Sequence, residues 1–299
     1  MGNPRWVGAG LVALSALSFG AMAIFARIAA AGGAEVTAVL FLRFLIAGAV
    51  MTVVMVVTGR RWPGRRNRQV LSLMGGVGYV LQSLCFFLAL QYARAGLVSL
   101  LLYLYPVLVT VLAVIFRGER LSALRVGATL AALLGTVLTL SEGLEGRWIG
   151  VALGVSTALI YSVYILVGSR VLAEEDSLAA ATVVMLSAAA TFGVVVAITG
   201  PRFPATPDAW GAVLAIALVS TVIAMVSFFA GIQRLGAADA ATLSTLEPVV
   251  TCLLAAIFLG EPVTPLQAVG GAIVLAAVVA LARGEGRTIQ VGKGATRSR

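Results

Sequence analysis

Ten stretches of this 299-residue chain are each apolar enough, over enough residues, to cross a lipid bilayer. They run at about 7–30, 36–57, 70–91, 96–116, 124–141, 148–169, 178–199, 209–232, 238–259 and 265–282. A hydrocarbon core about 30 Å thick takes about 20 apolar residues in a helix. Lipid offers no partner for a bare backbone N–H or C=O, so each run predicts a helix that pairs its own backbone. The connecting segments are short and hold nearly all the charge, as in TGRRWPGRRNRQ at 58–69 and RVLAEEDS at 170–177. The first run is too long for a secretory signal and lacks a strongly basic start, so a retained first helix is expected. The polar, Gly-rich 284–299 segment reads as a disordered cytoplasmic tail. The expected fold class is an all-α polytopic membrane protein of ten transmembrane helices.

Composition excludes the main alternatives. Hydrophobic residues make up 61% of the chain and charged residues 11%, against roughly 25% charged in a soluble domain. A soluble enzyme, a nucleic-acid-binding domain and a disordered chain are therefore set aside. The net charge of +9 would point to nucleic acid in a soluble protein. Here the bases instead map topology, because they gather in cytoplasmic loops. With a cytoplasmic N-terminus, 16 of the 21 Lys and Arg fall inside and four fall outside (Arg27, Arg94, Arg147 and Arg202), with Arg43 inside a run. Both termini are predicted inside, at the bacterial cytoplasmic membrane. The absence of His removes imidazole metal ligands, Ser-His and Cys-His dyads and imidazole proton relays. Cys85 and Cys252 lie in apolar runs and read as small core residues. No GxxxxGK[ST] motif is present, so direct ATP driving is not expected. Nor is a metal, a cofactor or an enzyme activity. The expected partners are a small-molecule substrate and the bilayer, with a monomer or a weak homodimer as the assembly.

The two halves repeat each other. Phe86 to Glu119 aligns without a gap on Phe228 to Glu261, at a constant offset of 142, with 14 identities in 34 positions. Leu, Val and Ala match readily by chance in apolar sequence. Gln91/Gln233, Pro106/Pro248 and Gly118-Glu119/Gly260-Glu261 do not. Residues 1–141 then form a first five-helix repeat and 142–283 a second. An odd helix number turns the second upside down, the inverted-topology plan of many secondary transporters.

Tyr105-Pro106 with Gly118-Glu119, Glu247-Pro248 with Gly260-Glu261, and LRFL around Arg43 resemble the drug/metabolite transporter superfamily, EamA type. The resemblance covers roughly residues 7–283, and overall similarity is greatest to amino-acid exporters of the YddG type. It implies a central cavity lined by helices 1, 3, 4, 6, 8 and 9, and it implies export. Topology itself assigns no direction.

Polar and aromatic residues at those depths are the candidate substrate contacts, since a polar stripe in a membrane helix has to face protein or water. Tyr79, Gln82, Ser83 and Phe86 share one face at i, i+3, i+4, i+7. Ser99 and Tyr103 share another with Pro106. Tyr161 and Tyr164 are spaced i, i+3, and Ser244, Met22 and Met225 complete the set. Their competing role is plain interhelical hydrogen bonding and packing. Tyr105 falls roughly 160° from the Ser99–Pro106 face of a continuous helix and is left out. Pro106 and Pro248 read as mid-helix hinges or fixed kinks.

Glu247 is the one carboxylate deep in a run. Three roles compete for it: proton coupling, a ligand for a substrate amine, or a structural hydrogen bond. Arg43, roughly 12 Å into its run, reads as structural, snorkelling outward or meeting a helix end. The expected function is secondary transport of small neutral or zwitterionic metabolites, most of all export of aromatic or hydrophobic amino acids by alternating access. A multidrug or other metabolite carrier of the same fold, or a passive channel, is the alternative.

Overall fold

A computed structural model describes residues 4–93, 95–118, 122–140, 146–260 and 262–283, and within these it is helical. Among the described residues nine helices are long and apolar enough to cross a membrane, and a further apolar helix, Ala123–Thr139, is shorter. Glu119, Glu261 and the 284–299 tail lie outside the described residues.

Four helices are continuous over most of a bilayer: α2 (Val36–Val57), α6 (Trp148–Val171), α7 (Ser177–Thr199) and α10 (Pro265–Arg283). With α5 (Ala123–Thr139) they frame the bundle. The other five change their winding partway. The first, α1, runs Pro4–Gly20 and Met22–Ala31, with a turn at Ala21. In α3, a π-helical turn Met74–Tyr79 joins Arg65–Leu73 to Val80–Tyr92. In α8, a π-helical turn Leu218–Ile223 joins Pro207–Ala217 to Ala224–Leu235. The α4 helix is split into Ala95–Leu102 and Tyr105–Arg117, and α9 into Ala237–Leu243 and Leu246–Leu259.

The prolines explain where the second pieces of α4 and α9 begin. Pro106 and Pro248 occupy the first turn of those pieces, where a missing N–H costs nothing because that N–H would have no intrahelical partner. They do not sit in the middle of a continuous helix. The breaks precede them, at Tyr103–Leu104 and Ser244–Thr245. Both pieces end on a left-handed glycine, Gly118 at φ 64° and Gly260 at φ 68°, a conformation open to Gly and costly to side-chain-bearing residues.

Helices pair across the bundle. The longest contacts run between α5 and α10, α2 and α7, α1 and α8, and α3 and α6. Small residues permit the closest approaches. A Cβ on Gly135 of α5 would sit 2.6 Å from the Gly270 carbonyl of α10, and one on Gly270 would sit 2.5 Å from the Gly135 carbonyl. Gly146, Gly150 and Gly154 abut Ala93, Tyr92 and Leu101, so this small-residue series serves contacts within the chain.

The two ends of the bundle differ. At the end holding Arg5, the buried Asp239 carboxylate accepts from Arg5 at 3.1 Å and from Arg125 at 2.8 Å. Arg5 also donates to the Leu281 carbonyl at 2.7 Å. Arg60 pairs with Asp176, Asn67 donates to Glu174 and Glu175, and Gln233 donates to the Leu172 and Glu175 carbonyls. The Tyr105–Arg117 piece packs on the Ala237–Leu243 piece at this end. At the opposite end the Ala95–Leu102 and Leu246–Leu259 pieces make no comparable contact. The loops there meet through Arg202–Glu35 at 2.8 Å and the Arg147 N–H on the Tyr92 carbonyl.

Candidate functional site

The site is built on the two π-helical turns. A π-turn widens the helix by one residue and re-aims the side chains around it, and such turns recur at functional sites. The α3 turn ends at Tyr79 and the α8 turn holds Thr221. The Thr221 hydroxyl donates to the Ile216 carbonyl five residues back, the spacing a π-turn exposes. Between these turns lies Arg43 of α2, only 3% exposed. Its Nε donates to the Thr221 hydroxyl at 2.7 Å, one Nη to the Tyr79 hydroxyl at 3.2 Å and the other to the Met22 sulfur at 3.2 Å. The guanidinium carbon stands 4.9 Å from the centre of the Phe44 ring, within cation–π range. A cation in mid-bilayer costs roughly 2.5–3.5 kcal/mol on insertion scales. Neutral hydroxyls, a thioether and ring faces offset part of that here. Among the described residues no carboxylate lies within ion-pair distance of Arg43.

From Arg43 the tyrosines form a chain. Tyr79 packs edge-on to Phe44 at 5.0 Å and contacts Tyr164 at 6.3 Å. Tyr164 stacks on Tyr161 at 6.0 Å, and Tyr161 meets Tyr105 at 4.9 Å. Tyr105 contacts Tyr103 at 6.2 Å. Glu247 lies beside Tyr103, and Ser244 beside Tyr105. Arg43 at one end and Glu247 at the other thus flank one run of aromatic rings. Glu247 is half-buried. One turn beyond it, Thr251 donates to the Gly20 and Glu247 carbonyls and lines a crevice with Ile24, Arg27, Cys252 and Gln267.

Comparison with known proteins decides the family. The sequence profile of the EamA-like transporter family matches residues 6–141 and again 148–283. The chain belongs to the EamA-like transporter family. It is a multi-pass membrane transporter, not an enzyme. YcbK, an uncharacterized transporter of Bacillus subtilis, is 26% identical over 271 residues, which cover 86% of each chain. A probable terminal-alkyne amino-acid exporter of Streptantibioticus cattleyicolor is 26% identical over 81% of this chain and 82% of its own. A solved crystal structure superimposes with a TM-score of 0.78 at 23% identity, covering 91% of this chain and 95% of that one. That likeness speaks to the fold.

In this EamA-like transporter the sequence candidates are placed as follows. Tyr79, Tyr103, Tyr161, Tyr164, Ser244, Met22 and Glu247 meet in the Arg43–tyrosine–Glu247 array. Gln82 and Ser83 lie about a turn along α3, where Ser83 donates to Gln82 at 3.4 Å. Phe86 is half-buried a further turn on, Ser99 is half-buried on α4, and Met225 is buried in the core.

Two sequence readings are corrected. Tyr105 belongs to the array, because the break at Tyr103–Leu104 resets the helical phase that placed it on another face. Arg43 neither snorkels nor meets a helix end, but turns inward to Thr221 and Tyr79. Thr221 and Tyr79 stand 142 residues apart, the offset of the internal repeat. That register was the signal in the sequence that could have linked them.

Proposed function

We propose that this protein is a secondary transporter that exports small zwitterionic or neutral metabolites, above all amino acids with aromatic or hydrophobic side chains, by alternating access. The observation that carries the reading is the Arg43–tyrosine–Glu247 array, polar at both ends and aromatic between. Multivalent anions would call for several buried bases, and Arg43 alone is present in the array. The amino-acid export attributed to the Streptantibioticus relative agrees with this substrate class.

The ten helices form two inverted repeats, 1–141 and 142–283, with both termini in the cytoplasm of a bacterial cell and the chain in its cytoplasmic membrane. Support comes from the two profile matches and from the pairing of α1 with α8 and of α3 with α6, which exchange under the repeat. The matched Gly118 and Gly260 caps agree. Alternating access needs two halves that can trade conformations about a fixed site. The breaks before Pro106 and Pro248 are the places where α4 and α9 can bend.

Uptake of labelled amino acids into proteoliposomes, with and without a pH gradient, tests this. Saturable uptake of L-phenylalanine or L-leucine with trans-stimulation is expected. If no amino acid moves, the substrate assignment fails. Flux without saturation would favour a channel. Proton coupling through Glu247 requires that the gradient accelerate flux and that Glu247→Gln abolish the acceleration.

A further inference from the structure

Five arginines, Arg60, Arg61, Arg65, Arg66 and Arg68, are crowded where α2 leads into α3, at the end of the bundle that holds Arg5. Among the described residues Arg60 alone of the five has an acidic partner, Asp176. The neighbouring Glu174 and Glu175 accept instead from Asn67 and from the Gly64 N–H. Arg61, Arg65, Arg66 and Arg68 are exposed. Other arginines at this end are engaged with protein: Arg5 and Arg125 share Asp239, Arg117 donates to Ser169, and Arg170 donates to the Phe116 carbonyl. The preference of basic loops for the cytoplasm bears on which side the loop lies. It does not explain where on the helix its charges stand, and they stand over lipid-facing surface. Arg66 and Leu73 are seven residues apart, which puts them on one face of the Arg65–Leu73 segment and about 10 Å apart along its axis. Leu73, Val77 and Leu81 are exposed along α3, and Val56 and Val57 are exposed where α2 ends. Trp62, exposed between the two helices, is a residue type that gathers at the level of lipid headgroups.

We infer that Arg61, Arg65, Arg66 and Arg68 form a binding surface for the headgroups of anionic phospholipids in the leaflet at the Arg5 end, with the acyl chains lying against the exposed apolar residues of α2 and α3. A guanidinium is a planar fork that meets a phosphate with two parallel hydrogen bonds. A cluster of basic residues next to a membrane-spanning helix attracts acidic lipid, each base adding to the attraction. A zwitterionic phospholipid carries the same phosphate, but its quaternary ammonium is repelled by four arginines, so selection rests on net charge. The inference is independent of which solute is transported. It also gives the lipid a place to act. Through Arg60, Gly64 and Asn67 the same loop holds the 174–176 turn between α6 and α7, so a lipid gripped here bears on a tie across the packed end.

The test uses the full chain in phosphatidylcholine vesicles in which brominated phosphatidylglycerol or brominated phosphatidylcholine replaces part of the lipid. Brominated chains quench a tryptophan they touch, so the two quenching curves give the relative binding of the two lipids. Two single-tryptophan proteins are compared, with the remaining tryptophans replaced by Phe. One carries Leu73→Trp, below the arginines, and the other keeps Trp148, exposed at the opposite end. At low salt the Leu73→Trp reporter is expected to favour phosphatidylglycerol at least ~3-fold, and Trp148 less than ~1.5-fold. Replacing Arg61, Arg65, Arg66 and Arg68 together by Gln should bring the first ratio to about 1 and leave the second unchanged, which also shows that the variant is folded. Arg66→Gln alone should lower the first ratio partway, and about 1 M salt should erase it. No preference at Leu73→Trp, equal preference at both reporters, or a preference that survives the fourfold replacement overturns the inference. None of these readouts involves transport, so the amino-acid assignment stands or falls by its own flux experiment.

Discussion

The two ends of the bundle are made from matching pieces and are packed differently. At one end Tyr105–Arg117 of α4 packs on Ala237–Leu243 of α9, and every residue of the latter piece is buried. Asp239 ties that end to Arg5 and Arg125. At the other end Ala95–Leu102 and Leu246–Leu259 lack such packing, although their breaks and glycine caps match those of their partners. Local sequence therefore does not set which end is shut. The difference is tertiary, and an asymmetry resting on a few contacts between equivalent pieces is one that a carrier can reverse.

The largest effect should come from reading that asymmetry directly. In a background with Cys85 and Cys252 replaced, a cysteine at Ala238, 1% exposed, should react with a water-soluble thiol reagent on the order of 100-fold more slowly than one at Thr251, which lines the crevice with Arg27 and Gln267 at the opposite end. Similar rates would mean that the packed end opens freely. Next in size is the lock. Asp239→Asn leaves Arg5 and Arg125 without their shared carboxylate. It should cost about 2–3 kcal/mol, a buried-pair loss discounted for the partly exposed arginines, read as a lower melting temperature. It should also speed labelling at position 238, and a full-strength barrier there would show that packing alone shuts this end.

Smaller changes should act on both states alike. Gly135→Ala forces a methyl against the Gly270 carbonyl and should destabilise by about 1–3 kcal/mol without altering the labelling ratio. A changed ratio would make α5 and α10 part of the moving machinery instead of the frame. Smallest of all, Gly118→Ala and Gly260→Ala should each cost about 1 kcal/mol, through the left-handed backbone each glycine holds. Equal losses by thermal unfolding would show that the two caps are mechanically equivalent, and unequal ones would locate a strained half.

Much of this was legible in the residues. The apolar runs foretold the helices within a few residues, because lipid leaves a spanning segment no other way to satisfy its backbone. The polar and aromatic residues in those runs pointed to most of the array for a related reason, since a tyrosine or a glutamate in mid-helix must find a polar surrounding. The miss at Tyr105 has a definite cause. Helical phase is a calculation about an unbroken helix, and α4 is broken two residues earlier. Arg43 was misread because a lone base in an apolar run reaches the interface as easily as the core, and only its neighbours decide. Those neighbours, Tyr79 and Thr221, are far away in sequence and are delivered by π-turns.

The sequence by itself determined that the chain is helical and membrane-spanning, where its backbone devices lie, and that its halves share them. Those are local matters of hydropathy, proline and glycine geometry. Only the tertiary structure decided that a buried arginine and a half-buried glutamate flank one run of aromatic rings, and that one end of the bundle is packed and tied through Asp239 while the matching pieces at the other end are not so packed. Both depend on which helices cross, and burial makes a crossing costly wherever charge is left unpaired.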